Sequence, residues 1–118
     1  MEAAFAQAAL ALTAVVCDLE RIEPKEQVTI ECGAEDDAAL LFASWLNAVI
    51  YEMATRNMVF AKFEVAIGPQ RLHARAWGEK LDVEKHRPAV EVKAATYCDL
   101  KVQQNDQGNW VVQCIVDV

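Results

Sequence analysis

Apolar residues in this chain recur with two different periods, and the points where one period gives way to the other divide it into elements. From residue 2 to about 16 apolar side chains run almost unbroken and alanine-rich, and Glu2 stands where a helix dipole favours an acid; this predicts a helix buried around most of its circumference. Mixed charge from Asp18 onward and a turn at Pro24 end it. Residues 27–32 then alternate, with Val28, Ile30 and Cys32 on one face and Thr29 and Glu31 on the other, which predicts a short strand. Gly33 closes that strand. Glu35, Asp36 and Asp37 next supply a capping side chain and negative charge for a second helix that runs to about Thr55 or Arg56. On it, Leu41, Trp45, Val49 and Met53 form a core stripe, and Ser44, Asn47, Tyr51 and Thr55 a narrow polar one.

The period of two returns at 58–67, with Val59, Ala61, Phe63, Val65 and Ile67 expected inward and Lys62 and Glu64 outward. Gly68-Pro69-Gln70 turns the chain into a return strand at 71–77, which sends Leu72, Ala74 and Ala76 to one face and Arg71, His73, Arg75 and Trp77 to the other. That second face is either a binding surface or a solvated one. Gly78-Glu79 is expected to end the strand, with a charged loop at 81–88. The last elements are strands at 91–97 and 110–118, joined as a hairpin by the turn formers Asn105, Asp106, Gln107, Gly108 and Asn109. Trp110, Val112, Cys114, Val116 and Val118 share one face of the final strand; Val111, Gln113, Ile115 and Asp117 share the other. A strand apolar on both sides is expected to be covered on both, hence central in its sheet.

Composition narrows the class. The 118 residues form a single domain, 1–118, and 54% hydrophobic content supports a packed core. A net charge of -7 makes nucleic acid a poor direct partner and a basic protein a better one. Four cysteines, Cys17, Cys32, Cys98 and Cys114, lack any C-x-x-C spacing and read as free thiols of a cytoplasmic protein. The apolar N-terminal run is too short to span a bilayer and lacks the basic start of a signal peptide.

Conventional catalytic signatures are absent: there is no G-x-S-x-G, no H-E-x-x-H, and four glycines are too few for a phosphate loop. His73 and His86 read as surface or hydrogen-bonded structural residues, and Cys98 as a buried thiol. Glu79, Lys93 and Asp117 are charges at strand ends or on otherwise apolar strands, where each must find a partner or reach water. Asp117 lies beside the terminal carboxylate of Val118. Two such carboxylates repel unless a cation or water separates them, and hard cations such as Ca²⁺ or Mg²⁺ prefer oxygen ligands.

Several stretches together resemble the archease family: Ile22-Glu23-Pro24, Trp45-Leu46-Asn47 within 40–51, Phe63-Glu64-Val65, Trp77-Gly78-Glu79, Lys85-His86, Glu91-Val92-Lys93-Ala94, Thr96-Tyr97 and Ile115-Val116-Asp117-Val118. Their order and spacing cover essentially the whole chain. The resemblance implies an α+β fold with two helices packed on antiparallel β-sheet. It also implies a non-enzymatic role, that of an activator of an RtcB-type RNA ligase in tRNA splicing, promoting guanylylation and multiple turnover with GTP and Mn²⁺ bound by the ligase. It further implies a divalent metal site, Ca²⁺ by family resemblance, at Asp117 with Val118 beside it, and a functional surface at Lys93 and Glu79. Family members normally begin with a further strand bearing Asp-His-Thr-Ala-Asp, whose acids help to build the metal site. This chain begins at the helix that follows, which predicts an open sheet edge, with self-association through it or weakened metal binding. Cys98 stands where the family often has histidine. Two other readings are a homologue that folds and self-associates without activity, and a small enzyme using Glu79, His86 or Cys98.

Overall fold

A computed structural model describes residues 1–33 and 36–118. Asp37 starts its longest helix by accepting hydrogen bonds at Oδ1 from the main-chain N–H groups of Ala39 (2.7 Å) and Leu40 (3.3 Å), satisfying two donors that have no partner inside the helix. Of the acidic triplet expected to open that helix, Asp37 is the cap, and Glu35 lies outside the described residues. The elements in order are α1 (Glu2–Val16), β1 (Glu26–Gly33), α2 (Ala38–Arg56), β2 (Met58–Ile67), β3 (Arg71–Lys80), a one-turn helix α3 (Val83–His86), and four short strands, β4 (Ala94–Ala95), β5 (Lys101–Gln104), β6 (Trp110–Gln113) and β7 (Val116–Asp117).

β1, β3 and β2 form an antiparallel sheet in that spatial order. The register sets Val28 and Phe63 against Ala76, and Ile30 and Val65 against Ala74. Small residues on the middle strand leave room above it for the bulky stripe of α2. Trp45 fills that space: it is fully buried, its ring meets Phe63 edge-on at 6.0 Å, and its Nε1 donates to the Phe5 carbonyl of α1 at 2.9 Å. Phe5 in turn packs on Phe42. Leu41, Trp45 and Val49 are buried as expected, but Phe42, Leu46 and Ile50 join them, because α1 covers a flank of α2 that the sheet does not reach. By length and composition α2 could cross a membrane; the burial of that face against the sheet and α1 makes it a core helix.

Three expectations are corrected. The alternation expected along β2 fails at its start, where Phe60 is fully buried and Ala61 only half so. Phe60 pairs with Gly78 and Lys62 with Trp77, so Ala61 is the extra residue of a β-bulge, which shifts the phase of the strand by one. Gly78 permits this. A Cβ there would fall 1.9 Å from the Val59 carbonyl oxygen. Second, β3 does not end at Gly78 but runs to Lys80, and the expected charged loop contains α3, capped by Asp82. Third, the C-terminal stretch is not a central strand. The segment 91–97 contributes only β4, which pairs with β7, and the partner of β6 is β5. The turn was placed correctly: Asn105 Oδ1 accepts from Gln107 and Asn109, and Gly108 takes φ +80°. Between β4 and β5 the chain leaves the ladder at Asp99, with φ +51°. The two ribbons lie on the helices with one face only. Val111 and Ile115 on the other face are 42% and 45% exposed.

Candidate functional site

The residues singled out from the sequence occupy two separate places. Lys93, Asp117 and Val118 lie together on the β4–β7 ribbon. Asp117 is the register partner of Ala94, its main-chain carbonyl accepts from the N–H of Lys93 at 2.7 Å, and the side chains of both are exposed. The ribbon is anchored from below by Asn47 of α2, whose Oδ1 accepts from the N–H of Ala95 at 2.9 Å. Thr96 secures the other end, its N–H and Oγ1 both donating to the Ile115 carbonyl at 2.9 Å. Asn47 is thus a positioning residue that the sequence presented only as one member of a polar stripe. Its place within Trp45-Leu46-Asn47, next to the core tryptophan, was the available signal.

Asp117 and the Val118 carboxylate offer oxygen donors on an open surface, and no group of three or more His, Cys, Asp or Glu side chains converges among the described residues. A hard divalent cation takes six or more oxygens. These carboxylates alone therefore do not complete a cation's shell, and main-chain carbonyls or water would have to fill the rest.

Glu79 is elsewhere and is not a surface group. It is 4% exposed, at the end of β3 opposite Val59. Its carboxylate accepts from the Glu23 N–H at 2.7 Å, from Lys85 Nζ at 2.8 Å and from His86 Nε2 at 3.0 Å; Lys25 Nζ lies 3.5 Å away. The Glu23 amide, then Lys85, then His86 favour the ionised form against the cost of burial and hold its pKa at about 2. The same carboxylate raises the pKa of Lys85. His86, expected as either a surface or a hydrogen-bonded structural residue, is the latter. It is 1% exposed, and its Nδ1 accepts from the Asp82 N–H at 2.9 Å, so Nε2 carries the proton that it donates to Glu79. The cluster ties the loop before β1, the end of β3 and α3 to one another. Both ring nitrogens of His86 and both oxygens of Glu79 are engaged in hydrogen bonds within it.

The other candidates fall differently. Cys98 is exposed rather than buried. The thiol pKa values of Cys17 and Cys114 are raised by burial, the wrong direction for a nucleophile. The cationic face of the main sheet is a network of exposed polar contacts: Glu31 pairs with Arg71 at 2.8 Å and lies 3.0 Å from His73 Nδ1, Arg75 pairs with Glu64, and Lys62 and Arg75 flank the Trp77 ring.

Two helices on antiparallel sheet, with a C-terminal ribbon displaying Lys93 and Asp117, is the arrangement to compare with known proteins. The model of the Archease protein family (MTH1598/TM1083) matches residues 1–118. The chain belongs to the archease family. Protein archease of Pyrococcus furiosus is 39% identical over 122 residues, covering 100% of this chain and 85% of that protein. Protein archease of Sulfolobus acidocaldarius is 36% identical over 120 residues, with the same coverage. Among solved structures, the solution structure of Methanobacterium thermoautotrophicum protein 1598 is similar with a TM-score of 0.74 and 30% identity, covering 89% of this chain and 76% of that one. The α+β archease fold is therefore shared along most of the chain, and the exposed Lys93–Asp117 corner is carried on it.

Proposed function

We propose that this archease is a cytoplasmic accessory protein of an RtcB-type RNA ligase, promoting guanylylation of the ligase so that it turns over repeatedly in tRNA splicing. The observation that carries this reading is membership of the family over residues 1–118. GTP and Mn²⁺ belong to the ligase. The charge of the chain supports the same division of labour: at -7 it suits a basic protein surface, such as one that holds RNA, better than it suits RNA itself. Lys93 and Asp117, on the β4–β7 ribbon and exposed, are the groups offered to that partner. A divalent ion at Asp117 and Val118 would need further oxygen ligands, from main-chain carbonyls, water or the partner.

The test is multiple turnover. An RtcB-type ligase is mixed with excess RNA ends, GTP and Mn²⁺, and joined product per ligase is counted with and without a substoichiometric amount of the chain. More than one product per ligase only when the chain is present supports the reading; an unchanged yield overturns it.

A further inference from the structure

A pocket lies where α1 and α2 end. α1 stops at Val16, and α2 stops where Asn57, with a left-handed φ of +53°, turns the chain at once into Met58 of β2. Residues 87–93, between α3 and β4, belong to no helix or strand and cross the opening as a strap. The cavity has a volume of about 500 Å³ and apolar walls that include Ile50, Met53, Met58, Leu81 and Val92. Glu91 is the one charged residue lining it among the described residues. The strap is held at its two ends: Ala89 donates its N–H to the Val16 carbonyl at 2.8 Å, and Lys93 donates to the Asp117 carbonyl at 2.7 Å. Between those bonds, Val90, Glu91 and Val92 make no main-chain hydrogen bond among the described residues. Val92 is buried in the wall, whereas Val90 is 37% exposed at the mouth. Unused main-chain donors and acceptors beside an apolar hollow are what an extended peptide requires, the main chain giving hydrogen bonds and the hollow taking a side chain.

We infer, resting on the reading of this chain as an accessory protein of an RNA ligase, that the pocket receives an extended segment of the ligase carrying a large apolar side chain next to a basic one. Three features select that occupant. The bond that fixes the far end of the strap is the one from Lys93 to Asp117, so the pocket mouth at Glu91 stands two residues of chain from the corner offered to the ligase, and one partner surface covers both. The unpaired main chain at 90–92 calls for a peptide; a small apolar ligand would leave those groups as they are. Glu91 at the mouth, on a chain of net charge -7, matches a basic side chain, the character that the ligase surface is argued to have. The apolar side chain is the anchor, since binding energy concentrates where one large residue is buried in a pocket ringed by polar contacts.

Titration calorimetry of the chain against an RtcB-type ligase tests this, with turnover counted in parallel. Ala54→Trp, at an exposed position lining the pocket, fills it from the mouth and raises the Kd by about tenfold or more. Glu91→Lys raises it as well, by setting like charges together. Lys62→Ala, on the open face of the main sheet, leaves it unchanged. Should Ala54→Trp lower the melting temperature, Val90→Asp at the exposed mouth takes its place. The amides of Val90 to Val92 exchange more slowly once ligase is added, a change that a purely structural pocket does not produce. A wild-type chain that binds the ligase and raises its turnover, with pocket variants that do so equally well, overturns this inference and leaves the ligase reading standing; a wild-type chain that neither binds nor raises turnover overturns both.

Discussion

His86 Nε2 lies 3.0 Å from Glu79 Oε2, with both residues out of contact with water. Because the Asp82 N–H donates to Nδ1, Nε2 is the nitrogen turned to the carboxylate. A polar pair in this setting fixes α3 against β3.

Stability below neutral pH follows from that carboxylate. Its folded pKa, about 2, lies below the ordinary value of 4.5, so the unfolded chain binds more protons between those two values. The contribution is complete above 4.5 and is lost as pH falls toward 2. Thermal melts across this window are expected to decline more steeply for the wild type than for Glu79→Gln. Parallel curves would show that Glu79 does not titrate as the geometry requires.

Glu79→Ala at neutral pH leaves the Glu23 amide and His86 without their acceptor and Lys85 without its buried counter-charge. The expected cost is about 3 kcal/mol, the order found when one member of a buried pair is removed. Urea denaturation checks it, and a loss below about 1 kcal/mol would mean that water replaces the carboxylate readily.

Gly78→Ala collides with the main chain of the neighbouring strand, since the new methyl would sit 1.9 Å from the Val59 oxygen and 2.8 Å from Phe60 Cα. Neither atom is the end of a flexible side chain. A destabilisation of about 3 kcal/mol or more is expected, at the upper end of overpacking costs, with the β2 bulge disrupted. Chemical shifts of Phe60 and Ala61 report the local change.

Asp117→Ala and Lys93→Ala are expected to separate function from folding. Both side chains are exposed, so unfolding free energies should stay within about 0.5 kcal/mol of wild type. Ligase turnover is expected to be lost in the first and weakened in the second. Asn47→Ala gives the complementary result: removing the acceptor for the Ala95 N–H loosens the ribbon, at a cost of about 1–2 kcal/mol. Amide exchange at Ala95 should then quicken well before global unfolding.

The sequence by itself determined what depends on neighbours a few positions away. Both long helices are where the sequence places them, α2 with Asp37 as its cap, although α1 is buried along one face only, at Phe5, Ala9, Leu12, Thr13 and Val16, and not around most of its circumference as its apolar composition suggested; the 68–70 turn pairs β2 with β3 so that Leu72, Ala74 and Ala76 face inward. Family likeness, spread over short stretches from Ile22 to Val118, was also legible because it is a property of order and spacing. Tertiary structure decided the rest. Alternation identifies two faces of a strand but not what covers them, so 110–118, apolar on both sides, read as a central strand and proved to be two short ribbon strands with Val111 and Ile115 in water. A bulge shifts the phase by one residue, and only the close approach at Gly78 revealed where. For Glu79 the sequence left open a partner or water, and for His86 a surface or a hydrogen-bonded place; the partners that decide it come from Glu23, more than fifty residues earlier, and from α3, whose placement no local pattern encodes.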